Sequence, residues 1–404
     1  MTRRLAYGLS GLAAALMFLA AALMFLAAGP AGAEAPRNVI LLIGDGMGFE
    51  QVKAANLYAT GKPGGLAFEP YYRGEVTTHS LDSHRQGAHT TDSAAAATAI
   101  ATGRKTTNGR LSLTPAGENL QTILEYLAER GKWTGLVTTV PITHATPAGF
   151  AAHSDSRGDY EKIADDYFER SRPNVLFGAY WADGKGVTQE KARAAGYAVV
   201  RTRNELADFL RRNTDPPHLS GQFAADQLPY EFDDGARQGE PSVTYDTAPH
   251  LAEMTAAALQ ILARSPDGFF LMVEGGAIDW ACHANHLERT VGEALEFAKA
   301  FQTVLDWLGD RDDTLVIVTA DHETGGLWVV KPKGAGEYPD VFWGTSGHTG
   351  ANVPLYAHGP GAERFGRVVD NTDLFEVMTG GVAPVGAPQR NADTVTAGEA
   401  AVVP

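Results

Sequence analysis

Four short apolar runs set what this chain can fold into: Val39–Ile43, Leu136–Val140, Phe269–Val273 and Leu315–Thr319. Each is mostly apolar or β-branched and free of charge, the pattern of a parallel strand buried on both faces. Between and around them, Leu120–Arg130, Leu251–Ala263 and Val291–Leu308 have apolar spacing near the helical period and predict helices packed on a sheet. Strands and helices alternate in the βαβ manner. The expected architecture is α/β: a doubly wound, mostly parallel central sheet with helices on both faces. Residues 173–250 break the pattern. They are rich in Gly, Asp, Arg and Gln with weak periodicity, and are expected as a peripheral insertion within one catalytic domain of residues 34–380. The Ala-, Gly-, Val- and Pro-rich stretch 381–404 is expected as a flexible tail.

The first 33 residues read as an export signal. Arg3 and Arg4 precede an apolar run from Leu5 to Ala28, and Ala31-Gly32-Ala33 offers a small-x-small cleavage site. Within the run, Ala14–Ala20 is repeated as Ala21–Ala27. That duplication makes it long enough to span a bilayer as an uncleaved anchor. Gly29-Pro30 and the small residues that follow favour cleavage. A periplasmic or secreted protein, free of the membrane after cleavage, is expected. Thr2-Arg3-Arg4 leaves Sec and twin-arginine export both open.

The formal charge is −15, and cleavage would remove two arginines more. So acidic a chain argues against nucleic-acid binding, which needs Lys and Arg for phosphates. Any phosphate must be captured locally. The single cysteine, Cys282, permits no intramolecular disulfide. Packing and any bound metal must then stabilise an exported chain.

Ligands of such sheets collect beyond the carboxyl ends of the strands. Asp45, Glu274 and Asp321 stand at or just after such ends, and Thr146 follows another by a short loop. Asp45 lies in Gly44-Asp45-Gly46-Met47-Gly48, whose glycines allow close approach. Asp321-His322 is an adjacent acid–imidazole pair. Asp279 and His283, four apart, share a helix face and suit tetrahedral zinc. His348 lies in a Gly-rich loop. Ser93, in Thr91-Asp92-Ser93-Ala94, begins an alanine-rich helix whose positive end favours an alkoxide or an anion. His89 is a candidate base for it, though a metal is the better activator. Arg157 can fork onto phosphate oxygens. Singly, these residues have plainer roles as helix caps, turns or surface ion pairs. Their convergence from distant segments argues for a multi-metal hydrolytic site.

Taken in order, the segments resemble the alkaline phosphatases. Asn38 through Gly46 looks like the first metal motif of that family, and Thr91-Asp92-Ser93-Ala94 like its nucleophile motif. His144-Ala145-Thr146-Pro147-Ala148, followed by Arg157, resembles the magnesium and phosphate segment. Val273-Glu274-Gly275 with Asp279 and His283, then Thr319-Ala320-Asp321-His322, then His348-Thr349-Gly350 complete the series, and Thr372-Asp373-Leu374-Phe375 resembles a late helix start. The resemblance implies an alkaline-phosphatase-like fold and hydrolysis of small phosphate monoesters through a phosphoserine. It implies a first Zn2+ on Asp279, His283 and His348, and a second on Asp45, Asp321, His322 and deprotonated Ser93. It also implies one Mg2+ on Asp45, Thr146 and Glu274, and a homodimer as one assembly. His144 and Trp280 depart from the Asp and Lys of the best-known bacterial members. His144 would let the third site accept Zn2+ or Co2+. Trp280 would leave Arg157 as the main cationic side chain at the phosphate, with Asp92 beside it. Cys282 reads as a small buried residue, with adventitious zinc binding as the other reading. A phosphodiesterase of the same superfamily is the alternative function. A sulfatase fits poorly because alanines follow Ser93, and a non-catalytic binding protein would not need that serine.

Overall fold

Burial draws the four apolar runs to the middle of one sheet. The computed structural model describes residues 35–83, 90–212, 218–232 and 245–384. The expected export signal, His89 and the tail beyond 384 lie outside the described residues. In chain order the strands are β1 (Asn38–Gly44), β2 (Tyr72–Thr77), β3 (Trp133–Pro141), β4 (Val175–Tyr180), β5 (Ala198–Val200), β6 (Leu219–Ala225), β7 (Phe269–Gly275), β8 (Thr314–Thr319), β9 (Glu323–Thr324), β10 (Leu327–Lys331), β11 (Asp340–Trp343), β12 (His348–Thr349), β13 (Val353–His358) and β14 (Val368–Asp370).

Ten of them form the central sheet in the order β14-β2-β13-β8-β1-β7-β3-β4-β6-β5. Only β13 runs antiparallel to its neighbours, so the sheet is mostly parallel, as expected. Every residue of β1, β7 and β8 is buried. Helices cover both faces. Successive residues of β7 point to opposite sides. Phe269 meets Trp307 of the Leu287–Leu308 helix at 5.4 Å between ring centroids, while Phe270 stacks on Phe150 of the Ala145–Ala151 helix at 5.9 Å.

Register aligns the strand ends. Ile43 pairs with Glu274 on one side and Thr319 on the other, and Thr138 of β3 also pairs with Glu274. The residues just past β1, β8 and β3 therefore emerge at one edge, beside Glu274.

Three local expectations need correction. The helix expected over Leu120–Arg130 is only Ile123–Ala128, because Thr122 and Glu125 form a capping box that starts it late. Leu120 instead donates its backbone N–H to Ser112. The helix expected from Val291 begins at Leu287, capped by His286. The stretch 173–250, expected as an insertion, supplies β4, β6 and β5, which extend the sheet in parallel to one edge.

Candidate active site

Strand ends and helix starts assemble the site. Asp45 follows β1 and is fully buried. Gly46 sits at φ +72°, and a Cβ there would lie 2.9 Å from Asp279 Oδ1 and 2.8 Å from Thr324 Oγ1. Only glycine lets this turn lie so close to its neighbours. Asp321 accepts from the backbone N–H groups of Gly46 (3.2 Å) and His322 (2.9 Å). His322 Nε2 lies 3.3 Å from Asp321 and 3.6 Å from Asp45. Ligand atoms of Asp45, Asp321 and His322 all fall within 4.8 Å of one another. Ser93 Oγ is 3.2 Å from His322 Nε2. It is the first residue of the Ser93–Thr102 helix, whose cap, Asp92, accepts from Ala95 N–H.

On the other side of Asp45, a second group brings in His144 and Glu274 within the same 4.8 Å limit. Glu274 accepts from Thr138 Oγ1 at 2.5 Å. Thr146, in the Ala145–Ala151 helix, donates to Asp45 Oδ2 at 3.4 Å. His144 caps that helix and meets Trp280 edge-on, with ring centroids 5.9 Å apart.

The third group is Asp279, His283 and His348. Asp279 and His283 share the Ala277–His283 helix and lie 3.3 Å apart, as their spacing predicts. His348 Nε2 is 3.7 Å from Asp279 and 3.1 Å from His283 Nε2, and its ring stacks on that of His322 at 3.6 Å. Thr91 O holds His348 Nδ1 and Ser346 O holds His283 Nδ1. Thr324 Oγ1 donates to Asp279 at 2.6 Å.

Arg157 bridges the groups. It donates to Asp92 Oδ2 at 3.1 Å and to His144 Nε2 at 3.2 Å, and its side chain is 31% exposed. Since arginine can only donate, the neutral His144 ring carries its proton on Nδ1.

The electrostatics fit divalent cations. Three buried carboxylate oxygens here have no hydrogen bond, Asp45 Oδ1, Glu274 Oε1 and Asp321 Oδ2, and His144 Nδ1, which carries the ring proton, is unpartnered as well. Each such atom costs about 1–3 kcal/mol, more if charged. Burial, then the neighbouring acids, push Asp45 well above the usual carboxylate range. Burial lifts Asp321 to about 6, and lifts Glu274 to about 7 against the Thr138 hydrogen bond. Burial lowers His322 to about 4 and, with the Arg157 charge, His144 to about 3. Crowded carboxylates beside the neutral His322 are the donor set a cation needs, whereas the Asp279 hydrogen bond raises His283 to about 9, so a cation in the third group must displace its proton.

Residues 36–174 and 166–339 match the family model described as alkaline phosphatase. Alkaline phosphatase 3 of Bacillus subtilis is 34% identical, over 84% of this chain and 87% of its own. The streptomycin-6-phosphate phosphatase of Streptomyces griseus is 37% identical, over 87% and 91%. The chain belongs to the alkaline phosphatase family. Among solved structures, the alkaline phosphatase of the Antarctic bacterium TAB5 superposes with a TM-score of 0.71 at 31% identity, covering 85% of this chain and 98% of that one. A His-to-Asp variant of that enzyme is described with magnesium bound in its M3 site. This member of the alkaline phosphatase family is accordingly a phosphomonoesterase whose family and buried donors support divalent-metal cofactors.

The structure unites the alkaline phosphatase residues singled out in the sequence in three adjoining groups around Ser93 and Arg157. It also shows supports that sequence reasoning missed: Thr138 under Glu274, Thr324 under Asp279, and Gln51 and Glu323 behind Thr324. Only Glu323 and Thr324 had a signal, their place directly after Asp321-His322. Cys282 is buried in none of the metal-type groups, with Sγ 3.6 Å from Thr290 Oγ1.

Proposed function

We propose that this phosphomonoesterase works through a phosphoserine on Ser93, with two zinc ions and one magnesium ion. The observation that carries the reading is Ser93 Oγ, buried at a helix start, 3.2 Å from His322 and among residues that crowd negative charge. The first zinc would take Asp279, His283 and His348. The second would take Asp45, Asp321, His322 and the deprotonated Ser93. Magnesium would take Asp45, Thr146 and Glu274, and His144 would join a zinc or cobalt ion there on giving up its hydrogen bond from Arg157. When bound, such ions acidify an attached hydroxyl and screen phosphoryl oxygens.

The chain's own residues do the rest. Ser93 Oγ attacks phosphorus, the ester P–O bond breaks, and the alcohol leaves with a proton. Water then cleaves the phosphoserine, returning Ser93 and releasing inorganic phosphate. The helix start favours the Ser93 alkoxide and the phosphoryl group. Arg157 offers a fork for two oxygens, and Asp92 aims it while capping the same helix. His322, held neutral by burial, keeps the lone pair that the second zinc would take beside Ser93. Most of the acceleration would come from positioning and charge stabilisation.

The Streptomyces griseus relative, a phosphatase of a small phosphorylated molecule, supports small phosphate monoesters as substrates. The TAB5 variant with magnesium in its M3 site supports a third site whose preference depends on its histidine position. Export to the periplasm or medium is proposed on residues 1–33 alone; no helix among the described residues is long and apolar enough to cross a membrane.

Acid quenching during turnover of a labelled monoester, followed by peptide mapping, should place the label on Ser93. Ser93→Ala should form no phosphoenzyme yet retain its metals. Label on another residue, or undiminished turnover by the variant, would overturn the reading.

A further inference from the structure

Glu323 follows directly on the Asp321-His322 pair, yet its carboxylate turns away to a network of its own. It is 6% exposed. Oε1 accepts from Gln51 Nε2 at 2.7 Å and Leu327 N–H at 3.2 Å. Oε2 accepts from Gly326 N–H at 3.2 Å and from Thr349 Oγ1. Four donors thus meet one buried carboxylate and satisfy both of its oxygens.

Those donors come from three separate pieces of chain, and each piece borders a site residue. Gln51 belongs to the Phe49–Thr60 helix that follows Asp45; it also donates to Thr324 O at 2.8 Å and accepts from Gly48 N–H at 3.1 Å. Thr324 in turn holds Asp279. A Cβ on Gly48 would meet Glu323 Cγ at 2.5 Å, so the Asp45 loop lies directly on this side chain. Thr349 is the neighbour of His348. Its strand, β12, is two residues long and pairs only with β9, His348 opposite Thr324 and Thr349 opposite Glu323. Two residues of pairing are too few to fix a strand in water. A side-chain anchor on that strand then adds to the Thr91 O and Thr90 Oγ1 contacts in fixing where His348 stands.

We propose that Glu323 is a positioning residue for the Asp279–His283–His348 group: through Thr349 it clamps β12 so that His348 faces Asp279 and His283. This rests on the assignment of a zinc ion to that group. The consequence is a rate of zinc loss from that one site governed by a carboxylate that touches neither metal nor substrate. Outer groups of this kind alter metal affinity by about 10- to 100-fold.

The test is zinc release from the loaded enzyme to a chromogenic chelator, with zinc stoichiometry and thermal melting measured alongside. Glu323→Gln keeps the shape but turns an amide donor toward donors. Thr349→Val removes only the hydroxyl link to β12. Both should speed the loss of one zinc equivalent about 10- to 100-fold and leave the rest at the wild-type rate. His348→Ala, the reference, should lack that equivalent from the outset. Wild-type release from both variants, or equal acceleration of every equivalent together with a lowered Tm, would overturn the positioning role. Full zinc in His348→Ala would instead overturn the metal assignment itself. If Glu323→Gln fails to fold, Thr349→Val decides alone.

Discussion

Two regions among the described residues gather histidine and carboxylates within 4.8 Å, and they resolve the same electrostatic problem in opposite ways. At the strand ends, Asp45, Glu274, Asp321 and His144 each leave a buried atom without a hydrogen bond. Near the Leu251–Leu262 and Leu287–Leu308 helices, Glu231, His250 and Glu296 form a group of equal compactness. There the partners come from the protein. His250 Nδ1 lies 2.8 and 3.1 Å from the two Glu231 oxygens. Glu296 takes Ala252 N–H at 3.0 Å and pairs with Lys299 at 3.1 Å. Tyr245 stacks on the His250 ring at 3.9 Å. The Glu231 hydrogen bond, then burial and nearby acids acting in opposite directions, leave His250 raised above its usual range, so it favours the imidazolium, which cannot ligate. His322 and His144 are driven the other way, to neutral rings. Ligand count and compactness do not separate a metal site from a self-neutralised cluster. Unpartnered buried carboxylate oxygens mark the Asp45 groups; the Asp279–His283–His348 group, where the Asp279 hydrogen bond raises His283 to about 9, shares the Glu231 pattern and differs by adjoining the Asp45 groups through the His348–His322 ring stack.

The largest effect that tests this contrast is at Arg157, to which the proposed mechanism gives the incoming anion. A bidentate charged contact contributes roughly 1.5–3 kcal/mol, or about 10- to 150-fold in binding. Arg157→Ala should raise KM and the inhibition constant for free phosphate by that range. Steady-state kinetics with phosphate as competitor measures both. Unchanged values would mean that bound cations alone grip the anion and that Arg157 serves only to hold Asp92.

Much of this was legible in the sequence because strand ends and ligands coincide there. The Val39–Ile43 run became β1 with one more residue at each end, and Asp45 stands where the run predicts. Asp279 and His283 meet because four residues make one helical turn and they occur in a helix. What escaped notice depends on contacts between distant segments. Gln51 looks like an ordinary helix residue, yet it is fully buried and reaches Glu323 across 272 positions. Thr138 is one of several strand threonines, and only pairing with β7 aims it at Glu274. The 173–250 stretch hid its strands because β5 is only three residues long, β6 carries the polar Ser220 and Gln222, and the charged helices Thr188–Ala194 and Arg203–Arg212 lie between the strands.

A middle-sized effect is expected at His144, where the strand-end region is closest to resolving itself within the protein. Arg157 donates to His144 Nε2, which places the ring proton on Nδ1. A neutral ring then cannot offer Nδ1 to a cation while it accepts from Arg157. A carboxylate has lone pairs for both. His144→Asp should therefore bind magnesium more tightly, by about tenfold, the lower end of what groups around a metal achieve. Magnesium titration of metal-depleted protein by calorimetry, with zinc and cobalt in parallel, checks this. Indifference of all three metals to the change would place His144 outside the third site.

The smallest effect is expected in the self-neutralised region, and it should appear as stability rather than as metal. His250 is raised above its ordinary value of 6.5 by its hydrogen bond to Glu231. A raised imidazole contributes stability in full below the unfolded value, and loses it as pH rises through the folded one. His250→Gln removes the charge while leaving an amide donor for Glu231. Its thermal-melting deficit should therefore be greater at pH 6 than at pH 9. The side chain is 32% exposed, so the pH-dependent part should be no more than about 1 kcal/mol. Zinc and magnesium content should match wild type at both pH values. A zinc equivalent lost with His250 would make the Glu231–His250–Glu296 group a metal site, and would break the rule that separates the two regions. Equal melting deficits at both pH values would mean that His250 acts by its stacking on Tyr245 alone.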